Sequence, residues 1–362
     1  PGTTYTVTFN DGSTPAVFNH PPPASITHIF KSTSCGVTSS NGTTSFQNSF
    51  SANIVAQNPC GTSAVGVVPI YVSTPPVADF TLPTKECTNV PICITNTSTG
   101  AFENNGSSSN CSTSPKFIWS ISPSTGFIIS SGSLGNDSGL TDSNLWTSGS
   151  TPLCIKFTQA GTYTITIKTG NRCGFDTKTK TICIEPSLTP SFTLNTNSFC
   201  TANPTLITAT NTTDLINQCS AATYNWHVTY TATNCGSSIT TISDQTTRDA
   251  NFNFTEPGKY DIKLTTTNSC GSSTTTQSIN VKKPPTITSI NGLAANYCGT
   301  ATISPTALVN SCAPASSNLT YNWSFPSGNP TSSTDQNPLN IVYSNTGNHE
   351  ITLIVSNECG ST

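Results

Sequence analysis

"KYDIKLTTTNSCGSS", residues 259–273, places an aromatic residue at the head of an alternating run and closes it on Asn-x-Cys-Gly. Tyr260, Ile262 and Leu264 share one side, while Asp261 and Lys263 take the other. A period of two with one apolar side marks a half-buried β-strand. The same form returns as "TYTITIKTGNRCGFD" at 162–176, "HEITLIVSNECGST" at 349–362 and "SFSANIVAQNPCGTS" at 49–63. Aligned on Cys60, Cys173, Cys270 and Cys359, the copies carry Phe50, Tyr163, Tyr260 and His349 ten residues earlier. One structural unit is written four times.

A second strand recurs upstream of each copy: "YTVTF" at 5–9, "FIWSI" at 117–121, "YNWHV" at 224–228 and "YNWSF" at 321–325. Trp119, Trp226 and Trp323 hold one position in it, with Val7 in their place in the first copy. Large aromatic residues repeated at one strand position fill cores, so Trp119, Trp226, Trp323, Tyr163 and Tyr260 are assigned there. The turn cysteines are separated by 113, 97 and 89 residues, a length suited to a seven-stranded Greek-key sandwich. Proline-rich joints, "STPPVADF" at 73–80, "EPSLTPSF" at 185–192 and "KKPPTITS" at 282–289, place the repeats at 1–74, 75–186, 187–284 and 285–362. The first repeat opens directly on the tryptophan-type strand. The fourth stops before the closing strand that "SSTTTQSINV" supplies in the third. An internal slice of a longer repetitive chain is therefore expected.

Composition agrees with an all-β fold of tandem sandwiches, in an extended, disulfide-stapled array. Thr, Ser, Asn, Gly and Pro dominate, interleaved with Val, Ile, Phe and Tyr, and no long window has helical apolar spacing. With 13 basic and 16 acidic residues and no basic run, the chain has no electrostatic means of holding nucleic acid or an anionic membrane surface. No apolar stretch approaches the ~20 residues of a membrane-spanning helix, so insertion of this segment is not expected.

Fifteen cysteines beside only 33% hydrophobic residues point to disulfides that stand in for thin cores, in an oxidising compartment or outside the cell. None has zinc spacing, and no cofactor is expected. Analogy between "TSCGVT" and "TNCGSS" suggests Cys35–Cys60 and Cys235–Cys270. A class preceding the tryptophan strand suggests Cys87–Cys111, Cys200–Cys219 and Cys298–Cys312. Cys93, Cys154, Cys173 and Cys183 admit three pairings, of which Cys93–Cys183 with Cys154–Cys173 is preferred. Cys359 is left unpaired, as a buried thiol, a link to an absent segment or a site of intermolecular bonding.

These strands resemble the PKD domain, an Ig-like sandwich with an aromatic-x-Trp-x-Phe strand and a later "GxYxVxLxVxN" strand. "YTVTFNDGS" at 5–13 carries the associated Asp-Gly turn, while "GTYTITIKTGN", "GKYDIKLTTTN" and "GNHEITLIVSN" carry the second strand. The later repeats lack the Asp-Gly. Asn-x-Cys-Gly endings joined to "PPVADFTL" are similar to repeats of giant gliding-motility adhesins of Bacteroidetes, exported by type IX secretion. The resemblance implies a cell-surface filament. Its partners would be further repeats of the same chain, surface polysaccharide or substratum, and the export and motility machinery.

Catalysis is not expected. His20, His28, His227 and His349 lie in different contexts, and no Gly-x-Ser-x-Gly, His-Glu-x-x-His or P-loop occurs. "FNDGS" and "GNDSGLTDSN" offer Asp11, Asp137 and Asp142 as calcium ligands, against ordinary Asx turns. Trp146, in a polar insert of the second repeat, is a candidate platform for a sugar ring, against a role capping that repeat's core. The leading reading is a structural and adhesive stalk. Its alternative is a set of spacer or polysaccharide-binding modules of a secreted hydrolase.

Overall fold

The computed structural model describes residues 2–104, 111–232, 241–311 and 318–362. The chain divides into two compact units, Pro1–Pro186 and Ser187–Thr362, each holding two of the sequence repeats. Among the described residues the regular structure is strand, with a single short 3-10 turn at Ser143–Leu145.

The repeated motifs form the same three strands each time. The tryptophan strand spans Thr4–Phe9, Lys116–Ser122, Thr223–Ala232 and Thr320–Ser324. The aromatic-led strand spans Phe50–Asn58, Gly161–Asn171, Gly258–Asn268 and Thr352–Asn357. A return strand follows at Gly61–Ile70, Gly174–Glu185, Gly271–Lys282 and Gly360–Ser361. All pair antiparallel, and the register is kept throughout. Val7 faces Ile54, Trp119 faces Ile167, Trp226 faces Leu264 and Trp323 faces Leu353. A slip by one residue would turn every apolar side chain to water, which is why the alternation holds the pairing so firmly.

In the second repeat this sheet adds Lys85–Cys87 at its edge and faces a sheet of Phe127–Ser131, Leu153–Phe157 and Pro91–Ile94. Ile94, Leu153, Ile155 and Phe157 from one sheet and Trp119, Tyr163, Ile165 and Ile182 from the other form a shared core. In the third repeat Ser198–Cys200 takes the edge, and Phe192–Leu194, Ile207–Asn211 and Ala250–Phe252 form the opposing sheet. Trp226, Phe254, Tyr260, Ile262, Ile279 and Val281 are buried between them. A third core surrounds Trp323, Phe325, Ile341 and Val355. Two largely antiparallel sheets, with edge strands Lys85–Cys87 and Ser198–Cys200 joining in parallel, packed face to face over alternating inward residues make an Ig-like sandwich.

The tryptophans do more than fill volume. Trp119 Nε1 donates to Ser150 O, Trp226 Nε1 to Thr247 O and Trp323 Nε1 to Asp335 O, each at 3.0 Å. A buried indole N–H left unpaired would be costly, and the same loop carbonyl position meets it each time. The first repeat is thinner. Val7 and Phe50 are buried, but Val17, Ile29, Val65 and Val67 stay exposed.

Candidate functional site

Asn-x-Cys-Gly is a hairpin turn. Asn58 pairs with Gly61, Asn171 with Gly174, Asn268 with Gly271 and Asn357 with Gly360, leaving two residues to reverse the chain. In each turn the asparagine Oδ1 accepts from the cysteine amide two residues on, at 2.8–2.9 Å. This Asx bond stabilises the reversal. The closing glycines have φ of 123–150°, a region that side-chain-bearing residues avoid.

The turns also grip the joints between repeats. Asn357 Nδ2 donates to Lys283 O at 2.9 Å, and Asn171 Nδ2 donates to Thr74 O at 2.8 Å. Both acceptors lie in the proline-rich joint preceding the repeat that owns the turn. In the second unit Glu358 pairs with Lys282 at 2.5 Å, and Cys359 is bonded to Cys200 of the preceding repeat. In the first unit Arg172 donates its amide to Glu103 at 2.7 Å and its guanidinium to Ser73 at 2.8 Å, and also contacts Asn104 O. Buried Asn104 donates to Ser34 Oγ at 3.2 Å, and Cys111 is bonded to Cys35 across the joint. The Glu358–Lys282 pair is half exposed and contributes little. The covalent links decide the geometry.

These links correct the sequence-based pairings. Cys35 joins Cys111, which removes both Cys35–Cys60 and Cys87–Cys111. Cys200 joins Cys359, which removes Cys200–Cys219 and the expectation that Cys359 is unpaired. Cys93 joins Cys154, directly opposite on neighbouring antiparallel strands with Cα atoms 4.0 Å apart, which removes Cys93–Cys183 and Cys154–Cys173. Cys60, Cys173 and Cys298 are exposed thiols, so Cys298–Cys312 is not formed. Cys87, Cys183, Cys219 and Cys270 are also disulfide-bonded. Cys235 and Cys312 lie outside the described residues, and the Cys235–Cys270 expectation goes with them. For Cys35, Cys111, Cys200 and Cys359 the physical error was to look for partners inside one repeat, whereas Cys93 and Cys154 do pair inside the second. The hairpin tip that carries Cys359 reaches away from its own sandwich and meets the preceding repeat at Cys200.

Trp146 is not a sugar platform. It is 3% exposed, its Nε1 donates to Leu140 O at 2.9 Å, and Lys168 Nζ lies 4.5 Å over its ring. The insert folds back through the Asn136–Thr147 bridge and closes it in. The calcium candidates are each engaged locally. Asp11 accepts from Ser13 N at 3.0 Å and pairs with His28 at 2.7 Å. Asp137 pairs with Lys168 at 2.7 Å, and Asp142 caps the 3-10 turn by accepting from Asn144 N. Among the described residues no three His, Cys, Asp or Glu side chains converge on one point.

Ionisation follows these contacts. Asp11 is lowered to about 2 by hydrogen bonding from Ser13 first and from His28 second. Asp137 is held below the usual carboxylate value by the Lys168 hydrogen bond, and Asp244 by the one from His227. Burial raises the Tyr260 phenol. His349 stands in the tyrosine position of its repeat and its Nε2 lies 3.0 Å from Asn345 O.

Residues 292–362 match the PKD domain family. No characterised protein matches the chain in sequence. Among solved structures, a three-domain I-band fragment of titin is 12% identical over 80% of this chain and 96% of that one, with a TM-score of 0.41. The N-terminal eight Ig domains of Down Syndrome Cell Adhesion Molecule are 10% identical over 86% of this chain and 39% of that one, at 0.38. Three N-terminal domains of the bacteriophage RB49 Highly Immunogenic Outer Capsid protein are 12% identical over 78% and 88%, at 0.33. The chain is a disulfide-rich series of Ig-like sandwiches in which the fourth repeat matches the PKD domain.

Proposed function

We propose that the chain is part of a tension-bearing, adhesive stalk on a cell surface, built from Ig-like and PKD-like repeats and exposed to an oxidising exterior. The observation that carries this reading is the Cys200–Cys359 bond, which spans 159 residues. Force entering before Cys200 and leaving after Cys359 passes through one disulfide. The sandwich residues enclosed between them are relieved of load. Cys35–Cys111 does the same for the 76-residue span it closes. A spacer that only separates two domains gains nothing from such a path, whereas a fibre that grips a substratum does.

The finer reading is a gliding-motility adhesin exported by type IX secretion. Its support is the resemblance of the Asn-x-Cys-Gly repeats and their proline-rich joints. Its partners are further repeats, surface polysaccharide or substratum, and the motility machinery. Labelling intact source cells with an antibody to this region, with and without a block on surface export, tests it. Surface label that disappears under the block is expected; label confined to the culture medium would overturn the cell-surface role.

A further inference from the structure

A short hairpin stands at the surface of the first repeat, where Thr38–Ser40 pairs antiparallel with Ser45–Gln47. Its tip reads Ser40-Asn41-Gly42-Thr43-Thr44 and is exposed throughout. The Asn41 amide donates to Thr44 O at 3.2 Å and closes the turn. Gly42 takes a φ of 91°, with open space where a Cβ would stand.

The polar groups of this tip converge on the Asn41 side chain. Its Oδ1 accepts three hydrogen bonds, from Thr44 N at 2.8 Å, Thr43 Oγ1 at 3.0 Å and Thr43 N at 3.1 Å. Donors gathered on one carbonyl oxygen draw electron density from its carbon and stabilise negative charge that develops on the oxygen. The neighbouring amide, Gly42 N, has no side chain to block its approach to that carbon. It donates to Ser40 Oγ at 3.0 Å, so an acceptor for its proton is already in place. A carbonyl held by donors and an amide held by an acceptor are the two halves of an acyl transfer.

We propose that Asn41 is a self-modification site, at which the Gly42 amide nitrogen displaces the Asn41 side-chain amine. The bond from Gly42 N to Asn41 Cγ forms and the Cγ–Nδ2 bond breaks. The Gly42 amide proton passes by way of Ser40 Oγ, and Nδ2 departs with one proton as ammonia. Water then opens the resulting succinimide at either of its ring C–N bonds and leaves aspartate or isoaspartate. The reaction consumes only water. Both products add a negative charge to the tip. Isoaspartate also adds a backbone atom, which breaks the closure between Asn41 and Thr44 and loosens the hairpin. The same dipeptide recurs as Asn291-Gly292, but Asn291 ends a strand opposite Thr306 and its Nδ2 donates to Ser289 Oγ at 3.3 Å. There the ladder resists the backbone rotation that ring closure requires. A third Asn-Gly pair, at 105–106, lies outside the described residues. This inference does not depend on the proposed adhesive function.

The full chain is incubated at mildly alkaline pH, digested and mapped by mass spectrometry, with isoaspartate labelled by isoaspartyl O-methyltransferase. Asn41 is expected to convert about tenfold faster than Asn291, and Ser40→Ala and Thr43→Val should each slow it by about tenfold in the folded chain. In the chain unfolded by urea the same two variants should match the parent. Ser40 and Thr43 are both exposed, and an unchanged far-ultraviolet circular dichroism spectrum shows that each variant has folded. Conversion at Asn41 no faster than at Asn291, or variants that match the parent in the folded chain, would overturn the proposal. The reactivity would then belong to the dipeptide and not to the turn.

Discussion

The Tyr260 hydroxyl donates to the Glu256 carbonyl, four residues upstream, at 2.8 Å. Tyr163 donates to Gln159 O at the same offset and 3.1 Å, and in the fourth repeat His349 Nε2 stands 3.0 Å from Asn345 O. The bond ties the entry of the aromatic-led strand to the loop before it. Tyr260 is fully buried, so Tyr260→Phe leaves the Glu256 carbonyl short of a donor and should destabilise the third repeat by about 1–2 kcal/mol. His349→Tyr should be neutral or stabilising, because the tyrosine restores the reach its sister repeats use. Denaturant titration checks both, and a Tyr260→Phe variant as stable as the parent would discard the bond's importance.

The fold was legible because its signal is local. The alternation around Tyr260 and the tryptophan positions are read within ten residues, and the register they imply, Trp226 opposite Leu264, is the one observed. The disulfides were not legible, because Cys359 chooses its partner by lying at a joint, and no spacing within the fourth repeat encodes that. Direct opposition of Cys93 and Cys154 was readable in principle, had the pairing of Pro91–Ile94 with Leu153–Phe157 been drawn first. For Trp146 the core-capping alternative holds over the sugar platform; its sequence neighbours are polar, while its contacts, Leu140 O, Lys168 and Gly170, come from the fold.

Trp146 should behave as a core residue of the second repeat. Trp146→Ala is expected to cost about 3–5 kcal/mol, in the range of buried aromatic truncations. Trp146→Phe keeps most of the contact with Lys168 and loses the indole bond to Leu140 O, for about 1–2 kcal/mol. Unfolding followed by limited proteolysis of the second repeat measures this. Equal stability of the parent and Trp146→Ala would return the residue to the surface.

Two glycines in the third repeat are required for different reasons. Gly271 has φ of 123° and open space where a Cβ would point, so Gly271→Ala carries only backbone strain, about 1–3 kcal/mol. Gly258 is buried, and a Cβ there would collide with the Tyr230 ring and Thr231 O. Tyr230→Ala should therefore ease Gly258→Ala and leave Gly271→Ala unchanged. A double-mutant cycle on stability reads the difference, and equal coupling for both glycines would contradict it.

Acid should loosen the first repeat through Asp11. Its folded pKa is about 2 against an ordinary 3.8. A depressed carboxylate contributes stability that is present above its unfolded value and is lost as pH falls through the folded one. The loss should run from about pH 4 down to 2, and Asp11→Asn should flatten the acid limb in that window. Carboxyl titration by NMR supplies the midpoint. A value near 3.8 would show that Ser13 and His28 do not hold the charge.

The two cross-joint disulfides limit how far the chain can be drawn out. While Cys200–Cys359 is closed, the 159-residue span it bridges adds nothing to the extended length, whatever happens to the sandwiches inside. At about 3.3 Å per extended residue that conceals on the order of 500 Å, and Cys35–Cys111 conceals about 250 Å more from its separate 76-residue span. Single-molecule stretching of the full chain from its ends should show the longer contour only after a thiol reductant is added, and at least this increase should appear. The Cys200→Ala/Cys359→Ala variant should already reach a longer contour than the oxidised parent. Identical maximal lengths for oxidised and reduced chains would mean that force does not travel through these bonds, and the mechanical reading of the joints would fail with them.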